Sequence, residues 1–87
     1  MSTNIKQSNA LKSSSREFEM TYQDFCQIRD IAYRITGITL SDHKQNMIYG
    51  RLARRLRVLG VNTFSEYCGL LSEDSPELHE FINAITT

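Results

Sequence analysis

From Phe18 onward, apolar residues recur three and four positions apart and no strict alternation lasts, a period that predicts helices and not strands. The first helix is expected to begin at Thr21, whose hydroxyl can cap the amide of Asp24 while the helix dipole favours that acid in the first turn. Met20 and Phe25 stand where a hydrophobic staple places its pair. Phe25, Ile28, Ala32 and Ile35 form the buried stripe, and Gly37 supplies a left-handed end. After an extended link, "ITL", Ser41 is placed as the N-cap of a second helix that runs to Leu59 and stops at Gly60. Thr63 and Glu66 read as a capping box for a short third helix carrying Phe64, Tyr67, Leu70 and Leu71. In "SEDSPEL", Ser75 is the N-cap and Pro76 the first residue of a fourth helix with Leu78, Phe81, Ile82 and Ile85. The predicted fold class is all-α, a small bundle of four helices.

The residues ahead of this pattern differ in kind. Positions 1 to 17 are rich in Ser, Asn, Lys and Gln, with Ile5 and Leu11 too isolated to make a face, and they read as a disordered N-terminal tail. Residues 18 to 87 then form one helical domain. A chain of 87 residues with 40% hydrophobic content supports only a modest core, which favours a binding module over a free-standing enzyme with a cofactor pocket. No apolar run is long enough to span a bilayer, and "MSTNIKQSNALKSSS" lacks the apolar stretch of a secretory signal, so a cytoplasmic protein with no membrane insertion is expected. Cys26 and Cys68 fit no paired metal-ligand spacing and read as reduced, partly buried thiols. "FINAITT" closes the chain without a glycine, a basic last turn or a breaker, the kind of end expected where a longer chain continues.

Charge changes the picture most at "KQNMIYGRLARRLRVLG". The chain balances 10 Lys+Arg against 10 Asp+Glu, yet this stretch holds five of the cations and no acid. On a helical wheel of about 100° per residue with Lys44 at zero, Ile48, Leu59, Leu52, Leu56 and Tyr49 fall at roughly 40 to 140°, a continuous apolar face. Lys44, Arg51 and Arg55 lie within about 20° of zero, Arg54 near 280° and Arg57 near 220°. All four arginines are therefore expected to point away from the core, so that removing any one changes stability by no more than about 0.5 kcal/mol. Met47 and Val58 fall inside the basic arc. A solvated face is the plain reading of such a helix, but a solvated face normally mixes signs, because Glu–Lys pairs one turn apart support it. With no acid after Asp42, these cations only repel one another locally, which favours an anion-binding surface. Glu66, Glu73, Asp74, Glu77 and Glu80 lie downstream, where some can neutralise the arc from a neighbouring helix.

The kind of anion follows from what is missing. A major-groove helix reads bases from its N-terminal part, whereas these arginines crowd the C-terminal half, and a neutral chain suits duplex DNA poorly. A nucleotide phosphate site wants a glycine-rich loop before a helix, and "TGITLSDHK" has one Gly and an acid. Acidic protein remains. His43 and His79 have no nucleophile or carboxylate at a recognisable spacing and read as surface or capping residues; Glu73/Asp74 and Glu77/Glu80 surround a helix start, where the dipole accounts for them. No catalytic, metal or cofactor-binding residue is identified.

The strings "F-x-x-I-x-x-x-A-Y-R-I-T-G-I-x-L-x-D-H-K", "M-I-Y-x-R-L-x-R-R-L-R-x-L-G", "F-x-E-Y" and "E-F-I-N-A-I-T-T" resemble the N-terminal helical domain of the CheR family of chemotaxis receptor methyltransferases, over Phe25 to Thr87. The resemblance implies a protein-glutamate O-methyltransferase whose Thr-Thr pair leads into an Asn-x-Thr-x-Phe-Phe-Arg segment and a larger α/β domain that together bind S-adenosylmethionine. Neither is in this chain, so the chain by itself is expected to bind no cofactor and to be inactive. It also implies that the helical domain docks on the acidic helices of methyl-accepting chemotaxis receptors through its basic second helix. Carried onto this sequence, the docking residues are Arg51, Arg54, Arg55 and Arg57, with Lys44 as an outer member. Arginine suits that task, since its planar fork takes a carboxylate in bidentate fashion. The alternative reading is a non-catalytic regulatory module that binds a nucleotide second messenger, an adaptor protein or, least expected, nucleic acid through the same arginines.

Overall fold

In the computed structural model, Thr21 opens the first helix as the sequence predicts: its hydroxyl accepts the Asp24 N–H at 3.0 Å, and the Asp24 carboxylate returns to the Thr21 N–H at 3.0 Å. Residues 16–86 are described, and the expected disorder of residues 1–15 lies outside them, as does Thr87. The helices are α1 (Tyr22–Thr36), α2 (Gln45–Leu59), α3 (Phe64–Gly69) and α4 (Pro76–Thr86), and no strand occurs among the described residues. Gly37 and Gly60 end α1 and α2 with φ of 77° and 74°, a left-handed backbone that any side chain would strain.

The start of α2 differs from expectation. Ser41 caps nothing with its side chain, and a single tight turn, Asp42–Lys44, precedes the helix proper at Gln45. The Ser41 hydroxyl sits 3.4 Å from the His43 ring, its carbonyl accepts the Lys44 N–H at 3.0 Å, and Asp42 turns to α1, accepting from the Tyr22 hydroxyl at 3.1 Å and from Arg29 at 3.3 Å. Tertiary bonds to Asp42 thus replace the local cap. At α3, Thr63 accepts the Glu66 N–H at 3.0 Å, but the returning Glu66 carboxylate takes the Asn62 N–H instead, one residue earlier than a capping box requires. Ser75 caps α4 by accepting the Glu77 N–H at 3.1 Å.

One core unites the four helices. Phe25 and Ile28 of α1, Ile48, Leu52 and Leu56 of α2, Phe64 and Tyr67 of α3, and Phe81 of α4 are fully buried. The Tyr67 and Phe81 rings lie 6.4 Å apart and those of Tyr49 and Phe64 5.7 Å apart, tilted pairs worth about 0.5 to 1.5 kcal/mol each beyond their burial. Met20 packs on the same core as Phe25, as a staple would. Leu70 falls beyond the end of α3 and is exposed, and Leu59, placed on the apolar face by its angle, is 38% exposed in the last turn of α2. Helices α2 and α4 run antiparallel: Arg51 reaches Ala84 while Arg55, one turn on, reaches back to Glu77. That pairing fixes the surroundings of the arginine row.

Candidate functional site

The five cations predicted to share one face have three different surroundings. Lys44 and Arg54 are exposed. Arg57 donates to Glu17 at 2.7 Å in an exposed pair, and Arg16 next to it lies over the Tyr49 ring at 4.4 Å and bonds to Asn46. The Phe18 N–H donates to the Tyr49 hydroxyl at 3.0 Å. A short stretch, Arg16 to Phe18, therefore crosses one flank of α2, so the two residues grouped with the tail by composition make contacts of their own.

Arg51 and Arg55 stand on the other flank, beneath α4. Arg51 donates to the Ala84 carbonyl at 3.0 Å. Arg55 grips Glu77 with both arms of its fork, Nε to Oε2 at 2.8 Å and Nη2 to Oε1 at 2.7 Å, and Glu77 also accepts the Tyr67 hydroxyl at 2.8 Å. The Arg55 and Glu77 side chains are only 22% and 8% exposed. Burial by itself would raise the Glu77 pKa, but the hydrogen bonds from Arg55 and Tyr67 and the charge of Arg55 hold it below the usual carboxylate range. The bond to Glu77 raises Arg55 further, and burial followed by the Glu77 contact pushes Tyr67 far up, so the group is a carboxylate between a fixed cation and a neutral phenol. The expectation that all four arginines point outward is thus corrected for Arg51 and Arg55. Both lie near zero on the wheel, at the edge of the apolar face, and α4 overhangs that edge.

Between α2 and α4 lies an open cleft of about 570 Å³, walled by Met47, Gly50, Arg51, Arg54 and Arg55 from α2 and by Glu80, Asn83 and Ala84 from α4, with Asn46 at its margin. It presents guanidinium groups over a small-residue floor, an arrangement suited to a carboxylate-bearing surface and not to proton transfer or nucleophilic attack. The histidines, His43 and His79, are exposed, and no cluster of metal-ligating side chains occurs among the described residues. Cys26 and Cys68 form no disulfide. No helix among the described residues is long and apolar enough to cross a membrane.

The family model described as the CheR methyltransferase all-alpha domain matches residues 23–86. The chain belongs to that family. It is 44% identical over 73 residues to chemotaxis protein methyltransferase 2 of Pseudomonas aeruginosa, a match covering 84% of this chain and 26% of the relative. The chemotaxis protein methyltransferases of Klebsiella aerogenes and Salmonella typhimurium are 41% and 39% identical to it over 91% and 93% of the chain, and 28% and 29% of the relatives. The chain therefore spans between a quarter and a third of the length of these relatives.

S-adenosylmethionine, the cofactor that the family implies, carries a sulfonium, an ammonium and a carboxylate. The α2–α4 cleft of this CheR all-alpha domain offers Arg51, Arg54 and Arg55 to a carboxylate but only Glu80 to two cationic groups, a poor match to the cofactor. The sequence reading names Glu77 both as a helix-start acid and among the acids able to neutralise the arc from a neighbouring helix, and the structure bears out the second for Arg55. The residue it misses is Tyr67, read only as part of the apolar stripe.

Proposed function

We propose that this CheR all-alpha domain is the substrate-docking part of a chemotaxis protein methyltransferase. In this reading the whole enzyme transfers a methyl group from S-adenosylmethionine to glutamate side chains of methyl-accepting chemotaxis receptors in the cytoplasm, and this domain holds the acidic receptor helices alongside. The single observation that carries it is the acid-free α2 with Arg54 exposed at its centre and Arg51 and Arg57 on its two rims. Arg54 takes a receptor carboxylate directly. Arg57 does so by exchanging Glu17 for the partner's acid, at little cost because the pair is exposed. Lys44 extends the row by about two turns, from the tight turn ahead of α2. Arg55, tied into Glu77, contributes positive potential and holds α4 in place.

Affinity for a cytoplasmic fragment of a methyl-accepting receptor from the same organism tests this. Arg54→Ala is expected to weaken binding by ~1 to 2 kcal/mol, the loss of one charge-assisted contact. Duplex DNA added as a competitor should not displace the receptor fragment. Normal receptor binding by the Arg54 variant, or tighter binding to DNA than to the receptor, would show the docking assignment to be wrong.

A further inference from the structure

Gly50 is the sixth residue of a fifteen-residue helix, a position where glycine is unfavourable because it leaves the unfolded chain more freedom than any other residue. Nothing among the described residues requires it. Its backbone is outside the left-handed region that Gly37 and Gly60 occupy, and a Cβ built on it would meet nothing within 4 Å. The space that its missing side chain leaves open belongs to the α2–α4 cleft, with Met47 one turn before it, Arg54 one turn after, and Arg51 and Ala84 on the α4 side. A glycine that serves neither turn geometry nor internal packing is explained by close approach of another backbone.

We infer that a helix of the docking partner crosses α2 at Gly50, its backbone seated on the glycine and its acidic side chains reaching Arg54 and Arg51. The occupant is argued from charge and shape. The α2 wall of the cleft is cationic with no acid, so it takes a carboxylate-bearing segment, and Arg51 is already steadied by its bond to the Ala84 carbonyl. Gly50 and Ala84, the small residues among the lining, leave the cleft between two antiparallel helices open to a third rod whose ridge settles into the groove. Glu80 on the α4 wall repels the partner's carboxylates, which confines its acidic stripe to the α2 side and sets which way round it lies. This inference rests on the docking reading above, including its helical partner, and adds to it the crossing point at Gly50.

The test pairs stability with affinity for the same receptor cytoplasmic fragment, using Gly50→Ala, Gly50→Leu and Arg54→Ala. Gly50→Ala should raise the melting temperature by roughly 3 to 6 °C, because it removes the glycine penalty in a small domain. It should nevertheless weaken binding about threefold to tenfold, and Gly50→Leu should weaken it more than tenfold, since an added side chain holds the partner's backbone away. If Arg54→Ala weakens binding but both Gly50 variants bind as the parent does, the docking reading stands and the crossing at Gly50 is overturned. If Arg54→Ala binds normally, the docking reading fails and the crossing fails with it. A lower melting temperature for Gly50→Ala would also overturn the inference, since the chain itself would then need the glycine.

Discussion

Arg54 and Arg55 are adjacent, identical in type and both on the basic arc, yet their removal should have opposite consequences. Arg55→Ala strips a nearly buried carboxylate of a bidentate cation and should destabilise the domain by about 1.5 to 3 kcal/mol, whereas Arg54→Ala should stay within about 0.5 kcal/mol. Thermal melts of the two variants decide this; equal melting temperatures would mean that the Glu77 pair contributes nothing. The same pair gives stability a pH dependence of known sign. The folded pKa of Glu77 is depressed, so its contribution is fully present above the unfolded value near 4.5 and is lost as pH falls through the lower folded value. Denaturation midpoints measured from pH 7 to well below 4.5 should therefore start lower in Glu77→Gln than in the parent and fall less steeply below 4.5. Tyr67 does not titrate in this window, because burial and the Glu77 contact keep it protonated.

Helix α2 packs on one side and carries its charge on the other, and the two can be separated. Leu52 is fully buried, so Leu52→Ala should cost roughly 2 to 5 kcal/mol of stability and leave receptor affinity unchanged at a temperature where the variant is folded. A large loss of affinity in molecules that remain folded would mean that the two sides of α2 are coupled. The helices were legible in the sequence because the signals that set them are local: Thr21 with Asp24, the two left-handed glycines, and Ser75 with Pro76 act within one turn. Ser41 failed because Asp42 is held by Tyr22 and Arg29 of α1, partners that lie far off in sequence. The candidate site was half legible for a related reason. Periodicity fixes which side of α2 faces the core, and it placed Arg54 and Lys44 correctly at the surface. It says nothing about which neighbour covers the edge of that side, and there α4 turned Arg51 and Arg55 inward.

At the scale of the whole molecule, zero net charge does not mean absence of a field, because the charges are separated. Half of the cations gather on α2 and the turn before it, while Glu73 and Asp74 stand in the link before α4 begins, and Glu77 is neutralised by Arg55. A neutral chain with its charges so separated is not drawn to polyanions in general, but it is turned so that its basic side leads as it nears an acidic surface. Steering of this kind acts over distances that salt shortens, since the screening length falls from about 30 Å at 0.01 M to about 8 Å at physiological ionic strength. In the docking reading proposed above, a seated partner would meet the cleft at hydrogen-bond range, where salt reaches less. The association rate with the receptor fragment should therefore fall tenfold or more between low salt and about 0.5 M, while the dissociation rate changes by only a few-fold. The double change Glu73→Gln and Asp74→Asn should raise the association rate at low salt and leave dissociation unaltered, because neither residue lines the cleft. Stopped-flow or surface-binding kinetics over a salt series measures both rates. Were salt to act mainly by speeding dissociation, the charges would be working inside the contact, and the steering account of the neutral chain would have to be abandoned.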